Sequence, residues 1–227
     1  MSVLSPVSSA DIGGGTPIQF GPAIGCDEAE FPALLRRYRL GLALFVAAVA
    51  MLFVGFSSAY VVRRDIPTFD ARTGAYSTAW EPLQLPVALL FLNTCLLVGS
   101  SGALEVLRRR ARLRALRSGD CDRSSGLWLS AALLLGTGFL VGQGIAWRLL
   151  SSSGQLLTTG ARTAFFYVLS ATHAVHAVVG ILAVLAIAVF RGRLSSLRSY
   201  LAVELTAWYV HSMTLLWVYL LCFLLFA

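Results

Sequence analysis

Five apolar blocks, each about the length needed to cross a lipid bilayer, constrain this chain more than any other feature. A hydrocarbon core of about 30 Å takes roughly 20 consecutive apolar residues in helical form. The blocks cover about residues 38–62, 83–107, 127–149, 164–190 and 200–226. Inside lipid every backbone polar group must be bonded within a helix or a closed barrel. The period-two alternation of a barrel strand is absent, so the blocks read as helices. The predicted fold class is all-α, an integral membrane bundle of five transmembrane helices. Composition agrees: 57% of residues are hydrophobic and 13% charged, whereas soluble domains carry about a quarter charged.

The arginines orient the bundle. All 18 basic residues are arginine, a usage that fits a GC-rich bacterial genome and implies no mechanism. Arg36, Arg37 and Arg39 precede the first block. Seven more, from Arg108 to Arg123, lie between the second and third, and Arg191, Arg193 and Arg198 between the fourth and fifth. The opposite side holds Arg63, Arg64, Arg72, Arg148 and Arg162. Thirteen against five predicts a cytoplasmic N-terminus and a periplasmic C-terminus. The net charge of +7 is thereby used on orientation and anionic headgroups, and no nucleic-acid partner is expected.

Residues 1–37 are expected to form a flexible cytoplasmic tail, with 38–227 as the membrane domain. The tail is rich in Gly, Ser and Pro, holds Asp27, Glu28 and Glu30, and lacks the basic start and apolar core of a signal peptide. Cys26, Cys95, Cys121 and Cys222 are far apart and form neither a C-x-x-C pair nor a cysteine–histidine set, so no disulfide framework or zinc site is read. Between the first two spans, Pro67, Trp80, Pro82 and Pro86 suit an extended external loop. Small residues Gly99, Ser100, Ser101 and Gly102 in the second span, and Gly136, Gly138, Gly142 and Gly144 in the third, mark close helix interfaces.

Ionisable groups within spans are costly and are functional candidates. They are Glu105, His173, His176, Glu204 and His211, with Asn93 and Gln143 as neutral polar additions. Glu204 and His211 share a helical face seven residues apart, and His173 and His176 share another. His176 and His211 lie at similar depths, so adjacent antiparallel helices can bring them together. A haem or metal held by the three histidines is one reading. Histidines bonding across helices and locking the fourth and fifth spans together is the plainer one. A complete proton path is not supported, since the middle of the first span, around Val49, carries no titratable group. Hydrolase, metalloprotease, Walker and dinucleotide motifs are all absent, so no catalytic residue is assigned.

Motifs in order along the chain identify a family. Thr172-His173-Ala174-Val175-His176 with Gly180 is similar to the T-H-G-x-H-x-x-x-G of subunit III of haem-copper (cytochrome c) oxidases. Glu204, Tyr209, His211 and Trp217 fall in register with that family's E-x-x-x-x-Y-W-H-F-x-D-x-x-W. Ser58 to Arg64, Leu92-Asn93-Thr94, Leu104-Glu105, Gly142-Gln143 and Ala146-Trp147 also fit. The chain resembles the short bacterial form with five spans, from about Arg39 to its end.

That resemblance implies a multi-pass protein of the bacterial inner membrane. Its role would be a non-catalytic subunit of an aa3-type oxidase, which reduces oxygen to water and pumps protons. Haem and copper belong to partner subunits, and this chain is expected to hold no cofactor of its own. It packs on subunit I within a complex that includes subunit II, holds phospholipid, and supports proton uptake and stability. A supercomplex with an upstream electron donor is a further implied partner. His173, His176, Glu204, His211, Glu105 and Trp217 are the expected structural or lipid-contact residues. The chain departs from the pattern at Val49, Val210 and Thr214, which stand where many members have Glu, Trp and Asp, so a proton-antenna role is not carried over. A quinol-oxidase subunit III, a nitric oxide reductase accessory protein, a small membrane transporter and a free-standing b-type cytochrome remain as alternatives.

Overall fold

The structure, a computed structural model, describes residues 31–70, 74–77, 86–116, 124–155, 160–190 and 196–226. Five helices dominate: α1 Phe31–Asp65, α2 Val87–Leu116, α3 Ser124–Ser152, α4 Ala161–Phe190 and α5 Ser196–Phe226. Each is long and apolar enough to cross a membrane. Most of the expected tail lies outside the described residues, as do Cys26, Trp80, Pro82 and Cys121.

Two helices run furthest beyond their apolar blocks at the arginine-rich end. α1 begins at Phe31, and α2 continues through the basic run to Leu116. Arginine is a good helix former, its stem lies along apolar surface while its head reaches water, and Glu105 pairs one turn on with Arg108 and Arg109.

The connection from α1 to α2 holds a small antiparallel hairpin, β1 Thr68–Asp70 and β2 Ala75–Ser77, with Phe69 opposite Tyr76. The sequence alone predicts an extended loop there. Thr, Phe and Tyr favour strands, and Gly74 at φ 63° takes the left-handed turn that other residues avoid. α3 ends in a Schellman turn. Gly154 sits at φ 80°, its N–H bonds Ser151 O, and the Gln155 N–H bonds Leu150 O.

Helices α2, α3, α4 and α5 close a ring in which each packs on the next, and α1 leans on the outside against α5 and α4. The small-residue strips explain the tightest contact. Gly99 faces Leu135, Gly138 faces Leu96, and a Cβ on Gly142 would overlap the Asn93 amide. Ser100 Oγ donates to Ala132 O across the same interface at 2.9 Å. The strips on α2 and α3 therefore meet each other, as close backbone approach in lipid requires. Gly102 and Gly144 face open space.

Candidate functional site

The polar groups gather at two levels of the bundle. The first is at the arginine-rich end, centred on Glu204 of α5, which is only 2% exposed. A carboxylate so enclosed is tolerable only when paired and hydrogen-bonded. Arg39 Nη2 of α1 reaches its Oε1 at 2.6 Å, and Arg108 Nη1 of α2 lies 3.4 and 3.5 Å from its two oxygens. Trp208 Nε1, one turn on, adds a bond of 3.2 Å. Glu204 thus ties together three helices that are distant in sequence.

Arg108 also grips Glu105, with Nε at 2.7 Å and Nη2 at 2.9 Å, a bidentate fork suited to carboxylate geometry. Arg109 Nε bonds the same carboxylate at 2.8 Å. From α5, His211 Nε2 lies 3.3 Å from Glu105 Oε2, and its Nδ1 is hydrogen-bonded with Ser101 Oγ. A neutral imidazole satisfies both when Nε2–H donates to Glu105 and Nδ1 accepts from the Ser101 hydroxyl. Arg39, Arg108, Arg109 and Arg112 line a cleft of about 640 Å³ with Glu105 and Glu204. Four guanidiniums against two carboxylates leave it positive.

The second level is aromatic. His173 is fully buried and its ring is enclosed by Phe53, Phe139 and Trp217, at centroid distances of 6.4, 5.8 and 5.0 Å. Trp217 is 1% exposed and its Nε1 donates to Thr94 Oγ1 of α2 at 3.1 Å. His176 bonds its own helix, Nδ1 to Thr172 O at 2.7 Å.

The histidines are accordingly kept apart in role. His211 turns to α2, while His176 lies beside Phe53 of α1. The meeting of His176 and His211 that similar depth allowed does not occur as a bonded pair. Among the described residues no group of three or more His, Cys, Asp or Glu is placed to hold an ion. The joining of α4 to α5 falls to Tyr209, whose hydroxyl donates to His176 O at 2.9 Å and whose ring packs against Gly180. The expected imidazole lock is replaced by a phenol-to-backbone one, because a backbone carbonyl beside a glycine is open to a long side chain.

With this geometry in place, the comparison with known families is decisive. The family model of cytochrome c oxidase subunit III matches residues 28–227. The chain belongs to that family. A search of curated proteins returns no match. As a subunit III-type protein it is a multi-pass membrane protein that associates with other oxidase subunits in a complex. The positions where this subunit III departs from the family pattern are absorbed by packing. Val49 is 6% exposed on α1 and Val210 9% exposed on α5, and Thr214 Oγ1 bonds Val210 O within its own helix at 2.8 Å.

Sequence reasoning counted Arg39 and Arg108 only as orientation signals and so missed them as partners of Glu204. The i,i+3 and i,i+4 spacing of Glu105 to Arg108 and Arg109 was a readable signal. The reach of Arg39 to Glu204, 165 residues apart, had none beyond the rule that a buried carboxylate needs a cation.

Proposed function

We propose that this chain is the subunit III of a bacterial aa3-type cytochrome c oxidase. In that setting it packs on subunit I, in a complex with subunit II, with its N-terminus cytoplasmic and its C-terminus periplasmic. It holds anionic phospholipid and supports proton uptake and stability, while haem and copper reside in the partner subunits. The family match over residues 28–227 carries this reading. The positive cleft of Arg39, Arg108, Arg109 and Arg112 supports the lipid part. Phosphate is recognised by guanidinium forks, and the cleft lies at the arginine-rich end where a headgroup layer runs. With Val49 and Thr214 uncharged, the support for proton uptake is structural, through the packing of helices and lipid around the active subunit.

The test is to tag this chain, extract the membrane gently, and record the reduced-minus-oxidised spectrum of what co-purifies beside a subunit gel. Haem a bands with two larger subunits are expected, and oxygen uptake driven by reduced cytochrome c should follow. Stoichiometric recovery of a lone colourless chain overturns the assignment, and uptake driven only by quinol overturns the donor. Native mass spectrometry of the same complex should show a bound anionic phospholipid. Arg108→Ala with Arg112→Ala should lose that lipid.

A further inference from the structure

The middle of the bundle buries more polar atoms than the protein bonds. Asn93 on α2, Gln143 on α3 and His173 on α4 are each at most 1% exposed. Both polar atoms of each side chain, six in all, have no hydrogen-bond partner in the protein. The three lie at one level. A Cβ on Gly142 would overlap the Asn93 amide, which puts that amide against the α3 backbone one residue from Gln143. Phe139, one turn before Gln143 on the same face, meets His173 and Trp217 edge-on at 5.8 and 5.1 Å. Trp217 donates to Thr94, the neighbour of Asn93.

An amide or imidazole sealed from solvent is costly unless paired. At this burial neither a lipid headgroup nor a side chain of another subunit can supply the pairing. The occupant has to be small, polar, and able both to donate and to accept. Each amide offers an NH2 group and a carbonyl oxygen, and a neutral imidazole offers one donor and one acceptor. Water matches that set, and buried waters typically make about three bonds to such groups. We propose that Asn93, Gln143 and His173 form an internal water-binding site between α2, α3 and α4, walled by Phe139 and Trp217. The bound water orients both amides, selects the tautomer of His173, and joins three helices within the membrane. The site is distinct from the charged cleft around Glu204 and does not depend on which oxidase the chain serves.

Pulsed X-ray hydroxyl-radical labelling of the intact complex, in water enriched in oxygen-18, tests this. Radicals born from a bound water label adjacent side chains that bulk solvent does not reach. Phe139 and Phe166 are the same residue type and equally buried, at 0% and 1% exposed, but Phe166 lies two turns away from His173. Oxidation of Phe139 several-fold above Phe166, with delayed uptake of oxygen-18, is expected. Equal labelling of the two overturns the site. Gln143→Leu should bring Phe139 down to the level of Phe166, and unchanged labelling also overturns it. Where that variant fails to assemble, a density map of the wild-type complex that shows ordered water decides. Water within hydrogen-bond distance of two of the three side chains is expected, and a direct Asn93–Gln143 bond with no water between them overturns the proposal.

Discussion

Helices α1 and α5 are both long single spans, yet protein covers 17% of the apolar window of α1 and 44% of that of α5. The less buried helix is the more apolar by mean hydropathy, the reverse of the rule in water. In a bilayer, lipid tails are as apolar as leucine, so burial of hydrocarbon does not drive helices together. Packing and polar contacts do. α5 sits inside because it carries Glu204, Tyr209, His211 and Trp217, each with a partner on another helix. α1 is held at the rim by an ion pair and ring contacts: Arg39 on Glu204, Phe45 against Tyr209, Phe53 beside His173 and His176, and Tyr60 against Phe165 and Phe223.

Several substitutions sharpen that contrast. The largest effect is expected at the core of α5. Trp217→Ala empties the space beside Phe139 and His173 and should destabilise the assembled protein by about 3–5 kcal/mol, read as loss of haem-containing complex on heating in detergent. Trp217→Phe keeps an aromatic ring, loses the bond to Thr94 and part of the indole volume, and should cost about 1–2 kcal/mol. Equal losses in the two variants would show that packing is not what holds α5.

Glu204→Gln comes next, at about 1.5–3 kcal/mol, because the buried side chain loses its charge-assisted bonds to Arg39 and Arg108, although Arg39 is half exposed and partly screened and Arg108 keeps Glu105. Its particular mark is on α1. A cysteine placed at Leu42, which is half-buried, should react faster with a membrane-permeant thiol reagent in this variant than in wild type. Unchanged reactivity would mean that the ring contacts alone seat α1.

Gly142→Ala drives a methyl into the Asn93 amide and should cost about 1–3 kcal/mol by overpacking. Gly55→Ala on α1 meets nothing within 4 Å and should change stability by less than about 0.5 kcal/mol. A marked loss on Gly55→Ala in the assembled complex, with none in the isolated chain, would place another subunit against that face of α1. The smallest effect is expected at Arg109, which is exposed. Arg109→Ala should stay within about 0.5 kcal/mol, and a denaturation midpoint matching that of Glu204→Gln would put the weight of the charged network on Glu105.

Much of this is legible in the sequence. Five spans and their all-helical character follow from the length of each apolar block and from the need of a backbone in lipid to bond to itself. Glu105, Glu204 and His211 stand out because charge in a span is costly, and the small-residue strips of α2 and α3 announce a close interface. Those properties are local, carried by spacing within one segment. Which helix stands next to which is not local. That Arg39 closes on Glu204, that His211 turns to Glu105 and Ser101 and leaves His176 alone, and that Asn93, Gln143 and His173 share one level all depend on how the ring of α2 to α5 closes. Tertiary packing alone decides them, because side chains on five separate helices meet only when the order and rotation of those helices are set.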